Sequence, residues 1–161
     1  MALRLDRIGR PALVWLLARL ILGGIIFYAG LQKTLHPEGF LKLVRQYDMV
    51  ADHRVLNLVA VVIPWFEVYC GLLLVGGIAV RGTALLSLLM LVPFTVIVLQ
   101  RALAIHGATG TAFCSIAFDC GCGTGVEVIC YKALFNGMLI LLSCALLAIP
   151  RKVGFTTRVA Q

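Results

Sequence analysis

The stretch VLNLVAVVIPWFEVYCGLLLVGGI, residues 55–78, decides how the chain folds. It is longer than the about 20 apolar residues that an α-helix needs to cross a bilayer core. Glu67 is its only formal charge. Working outward, three more such segments flank it, at about residues 12–35, 83–105 and 126–149. No soluble domain remains once these four are set aside. The chain is therefore expected to be a single all-α membrane domain over residues 1–161, a four-transmembrane-helix bundle.

Composition supports this reading. Of 161 residues, 61% are hydrophobic and only 13% are charged, with a mean hydropathy of +1.03. A water-soluble domain of this size has too little interior to bury so many apolar side chains. The formal charge of +7 does not point to nucleic acid, because the basic residues gather at the ends of the apolar segments. They form no stripe interleaved with aromatics. Topogenic charge and contact with anionic lipid headgroups account for them. Arg4, Arg7 and Arg10 precede the first apolar run as they would in a signal peptide. That run is too long for one, and no clear cleavage site follows, so it is read as a retained first span.

The connections differ in kind. Between spans one and two lies HPEGFLKLVRQY, residues 36–47. Pro37 suits a helix start, and Phe40, Leu41, Val44 and Tyr47 recur at helical spacing. A short amphipathic helix at the membrane interface is expected there. Gly76, Gly77, Arg81 and Gly82 mark a tight turn between spans two and three. A polar loop rich in Gly, Thr and Cys separates spans three and four.

Four spans place both termini on one side, and the dense basic tails favour the cytoplasm for them. The protein is then expected in the inner membrane, with the cysteine loop in the periplasm, where disulfides persist. Arg19 and Glu67 lie inside spans, where an unpaired charge is costly. Counted from the outer ends of their helices, near His36 and Arg54, they sit about 25 Å and 20 Å deep at 1.5 Å per residue. An Arg19–Glu67 ion pair is expected. It would either lock two helices in register or line a quinone or proton site. Lys33, at the end of the first span, is expected to snorkel to the interface. Pro64 and Pro93 predict kinks within their spans. Cys70 and Cys144 are expected to be buried, inert thiols.

The loop, FCSIAFDCGCGTG at residues 113–125 with Cys130 close behind, holds four of the six cysteines. Cys120 and Cys122, separated by Gly121, can close a small strained ring that exchanges readily. Three readings stand beside each other. The thiols are redox-active, with Cys120, Cys122, Cys114 and Cys130 as the reacting residues. Alternatively, a disulfide such as Cys114–Cys120 or Cys122–Cys130 is purely structural. A zinc or iron–sulfur site is the third, although the spacings match no standard ligand pattern, so no metal is expected. His106, the nearest imidazole, reads as a surface loop residue.

At this point the chain resembles the DoxX/MauE superfamily of small four-helix membrane proteins. The resemblance rests on Arg19, Gly23-Gly24, the run Phe27 to Lys33 and His36-Pro37 in the opening segment. It continues through Pro64 to Leu74 and ends on Cys120-Gly121-Cys122, Cys130, Asn136 and Leu139. The MauE-type motif usually continues Cys-x-Cys-Phe-Gly, whereas Gly123-Thr124-Gly125 follows here. MauE-type proteins are associated with methylamine dehydrogenase maturation, and DoxX-type proteins with thiosulfate:quinone oxidoreduction. The resemblance implies membrane-bound redox. With the clustered cysteines and the expected topology, the reading is a membrane-bound thiol/disulfide redox protein that assists a periplasmic or membrane partner. It passes electrons to a quinone or a membrane redox partner, with no covalently bound cofactor expected. The alternative is a non-catalytic accessory subunit of a larger membrane redox complex. A transporter finds little support in four spans without evident internal repeats.

Overall fold

The computed structural model describes residues 10–46, 52–119 and 125–148. The first apolar run forms α1 (Arg10–Leu35), and the amphipathic segment forms α2 (Pro37–Gln46). Next come α3 (His53–Gly76), α4 (Val80–Thr109) and α5 (Ile129–Ala148). α1, α3, α4 and α5 are each long and apolar enough to cross a membrane, so the four-span reading holds. α2 is the expected short helix between spans one and two.

Local chemistry sets the ends of these elements. The His36 N–H still closes on Gln32 O at 3.0 Å, and Pro37, which has no N–H to leave unsatisfied, then opens α2. Asp52 caps α3 by accepting from the Arg54 N–H at 2.7 Å. At the other end Gly77 turns left-handed, with φ of 75°. The Gly77 and Ile78 N–H groups return to Leu74 O and Leu73 O, a Schellman closure. Ala79, also left-handed, completes the reversal into α4.

α1 packs along α3 and α4 along α5, while α3 also meets α4 and α1 meets α5. Small residues bring α1 and α3 into close approach, as is usual for helices associating in lipid. A Cβ added at Gly30 would lie 2.7 Å from Glu67 Cβ, and one at Gly71 would lie 2.6 Å from Phe27 Cα. Gly23 faces Leu74 in the same way. These approaches fix an antiparallel register that sets Gly30 beside Glu67 and Arg19 beside Gly77. One buried apolar cluster, including Leu22, Leu74, Ala84 and Leu146, draws on all four spans. Large apolar side chains such as Leu58, Leu89, Leu134 and Leu141 point outward, into what would be lipid.

Between α4 and α5 the structure departs from the sequence reading. A 3-10 turn at Phe113–Ser115 leads into a two-stranded antiparallel hairpin, β1 (Ala117–Asp119) and β2 (Val126–Val128). Ala117 pairs with Val128, Phe118 with Glu127 and Asp119 with Val126. The fourth span therefore begins at Ile129, and Val126–Val128 belongs to a strand. Val-Glu-Val alternates with a period of two and carries β-branched side chains, as a strand requires. The third span runs on to Thr109, past the expected end at residue 105.

Candidate functional site

Chain direction brings the C-terminal ends of α1 and α4, the N-terminal ends of α3 and α5, helix α2 and the hairpin to the same end of the bundle. The hairpin is fastened to that end in several ways. The Ile129 N–H donates to Ile116 O at 3.0 Å, extending the ladder into the first residue of α5. Ile116 and Ile129 are buried in a second apolar cluster with Val98 and Ala102 of α4. Glu127 of β2 forms an ion pair with Lys132 of α5 at 3.0 Å, both side chains being largely buried. His106, expected in the loop, is instead an exposed residue of the last turn of α4, its Nδ1 2.7 Å from Thr111 O and its ring edge-on to Phe113.

Cys114, in the 3-10 turn, is disulfide-bonded to Cys130, the second residue of α5, with a Cα separation of 5.1 Å. This corrects the pairings Cys114–Cys120 and Cys122–Cys130. The reason lies in the hairpin register. With Ala117 opposite Val128, the residues just before β1 and just after β2 come side by side, and Cys114 and Cys130 are among them. Cys120 and Cys122 lie outside the described residues, in the chain that joins Asp119 to Gly125. Cys70 is buried as expected, whereas Cys144 is exposed on the bundle surface and is not a core thiol.

The expected Arg19–Glu67 pair does not form. Glu67 instead receives Lys33, whose ammonium donates to both carboxylate oxygens at 2.6 and 2.8 Å. The depth estimate failed because His36 and Arg54 do not stand at the same level. With Gly30 beside Glu67, Arg54 extends about 10 Å beyond the level of His36, at 1.5 Å per residue. Arg19 consequently lies about 16 Å along α1 from the level of Glu67. Its guanidinium stacks over Trp15 at 5.3 Å and rests against the Gly77 turn. Among the described residues no carboxylate pairs with it.

Lys33 therefore does not snorkel. It is 6% exposed, and its ammonium sits between two rings, 5.3 Å from the Phe40 centroid and 5.7 Å from that of Phe94. Four elements meet at this point: α1 gives Lys33, α2 Phe40, α3 Glu67 and α4 Phe94. Lipid and protein interior both penalise a lone charge, so bidentate pairing and ring contacts stabilise an ammonium that would otherwise leave the span. Sequence reasoning missed Phe40 and Phe94. The available clue was Gly30, whose missing side chain lets α3 approach one turn before Lys33. Phe94 also packs against the second apolar cluster, which in turn contacts Phe118 and Cys130. The charge pair and the disulfide thus share one packed region.

Four candidate spans, a short helix between the first two and a disulfide-closed hairpin before the last are now in place, and one family model matches the chain that carries them. The family described as methylamine utilisation protein MauE matches residues 11–149. The chain belongs to the MauE family. The match covers all four candidate spans, α2 and the hairpin of this MauE-type chain. Neither the curated proteins nor the solved structures include a match to it.

Proposed function

We propose that this MauE-family chain is a membrane accessory protein of methylamine utilisation that exchanges disulfides with a partner protein through Cys120 and Cys122. One observation carries the reading. The Cys114–Cys130 bond closes the base of the hairpin, so two of the four clustered cysteines are already joined. The Cys-Gly-Cys pair is left in the chain connecting the two strands. Cysteines one residue apart form a strained ring, and strained disulfides favour exchange over permanence.

The reaction balances as follows. A partner thiolate attacks one sulfur of the Cys120–Cys122 disulfide and forms a mixed disulfide, releasing the other sulfur as a thiolate. The partner's second thiolate then resolves it. The partner gains a disulfide, and Cys120 and Cys122 become a dithiol that retains the two electrons. A lipid-soluble quinone, taking up two electrons and two protons, restores the ring directly or after exchange with Cys114 and Cys130. In this reading the protein sits in the inner membrane, with both termini cytoplasmic and the hairpin periplasmic.

Trapping tests the proposal. Cys122→Ser and Cys120→Ser, each made singly, should accumulate a mixed disulfide with a periplasmic or membrane protein, visible as a band that reductant abolishes. Alkylation of the native protein with and without reductant should show oxidised loop cysteines. Cys120 and Cys122 that stay permanently reduced, with Cys114–Cys130 alone oxidised, would sink the idea. If the double Cys→Ser chain leaves partner oxidation intact but loses a membrane complex, the protein is a non-catalytic subunit, the DoxX-like alternative.

A further inference from the structure

We propose that the Lys33–Glu67 pair, walled by Phe40 and Phe94, is the binding site for the headgroup of a lipid-soluble quinone. This rests on the thiol-exchange reading for its purpose, while its geometry is independent of the cysteines.

Three observations select this ligand class. First, the pair offers both halves of a proton-coupled contact, an ammonium that donates and a carboxylate that accepts, held 2.6 Å apart. An anion on Lys33 would be repelled by Glu67, and a cation on Glu67 by Lys33. A neutral ring bearing carbonyl oxygens conflicts with neither, and its reduced hydroxyl form can donate to the carboxylate. Second, two aromatic rings from different helices lie within 6 Å of the ammonium, so a ring-bearing ligand that reaches the pair finds aromatic faces to pack on. Third, access is lateral. The Glu67 side chain is 16% exposed and that of Lys33 only 5%. A ligand dissolved in the bilayer meets the carboxylate first and finds the ammonium behind it.

The location suits the electron route. Phe94 packs on the cluster that contacts Cys130, so the site and the disulfide belong to one continuous region at the hairpin end. Glu67 and Lys33 are assigned binding roles here: they orient the headgroup and stabilise the oxygen on which charge develops.

The test uses the full chain carrying Cys120→Ser and Cys122→Ser, reconstituted in lipid nanodiscs, with an azido-ubiquinone analogue as photolabel and decylubiquinone as competitor. Saturable labelling should map to α1 and α3 around Lys33 and Glu67. The neutral pair Lys33→Gln/Glu67→Gln should weaken competition by about tenfold or more, the loss expected for a charge-assisted contact. Phe94→Leu, which leaves the ion pair in place, should weaken it by a smaller factor and decides the matter if the neutral pair does not accumulate. Labelling that cannot be competed, that maps elsewhere, or that neither variant changes would overturn the site. Saturable binding here combined with a partner that stays reduced in the presence of the native chain would remove the thiol-exchange reading and leave the site standing.

Discussion

At the scale of single residues, the pairing of Glu67 governs how intramembrane charge is tolerated. Removing one member of a buried ion pair strands the other, at a cost of about 3–5 kcal/mol. Lys33→Met should therefore lower the thermal stability of the detergent-solubilised protein far more than Arg19→Gln does. Arg19 contributes a ring contact with Trp15, worth about 1 kcal/mol. A double-mutant cycle sharpens the contrast: Lys33 and Glu67 should couple strongly, and Arg19 and Glu67 should be additive within error. A strong Arg19–Glu67 coupling would contradict the register described above. The sequence announced that Glu67 needs a partner but not which cation would supply it. The choice depends on the relative height of two helices, which residue spacing within either helix does not encode.

At the scale of elements, close approach and cross-linking make separate predictions. A methyl group at Gly71 meets the backbone of Phe27, whereas one at Gly24 or Gly137 meets nothing within 4 Å. Gly71→Ala should wedge α1 from α3 at a cost of about 1–3 kcal/mol, while Gly24→Ala should be close to neutral. Melting curves of the two alanine variants in one detergent would show whether that order holds. The hairpin has its own lock: Cys114→Ser/Cys130→Ser should speed hydrogen exchange at the Ile129 amide, which bonds to Ile116 O, and leave the α1–α3 interface unchanged. Equal protection in both forms would mean that Glu127–Lys132 and the apolar cluster hold the hairpin without the disulfide. Spans and α2 were legible because apolar length and helical periodicity are strong, local signals. The hairpin was not, because Val126–Val128 continues directly into the apolar residues of α5 and hydropathy alone does not separate a short strand from a helix start.

For the whole molecule, the four-span architecture places the hairpin, α2 and the Lys33–Glu67 pair at one end, and the start of α1 and the end of α5 at the other. A membrane-impermeant maleimide, applied after reduction, should label Cys120 and Cys122 in intact spheroplasts and fail to do so in sealed inverted vesicles. The opposite pattern would invert the proposed orientation and place the cysteines in a reducing compartment. The cysteine cluster and the family resemblance were both legible in the sequence. Their joint arrangement was not, since the pairing of Cys114 with Cys130 follows from a strand register that the sequence reading did not contain.

The Cys114–Cys130 bond also has a mechanical side. It converts residues 114–130 into a closed ring whose clasp sits on the first turn of α5 and behind the end of α4. In the proposed exchange, a partner joined at Cys120 or Cys122 would pull on the bundle through that clasp. The load bypasses the turn after Gly110 and the thin ladder of strand hydrogen bonds. The paired strands would then serve as a handle fixed to the helices, on which a bulky partner could tug without unravelling the segment that holds it.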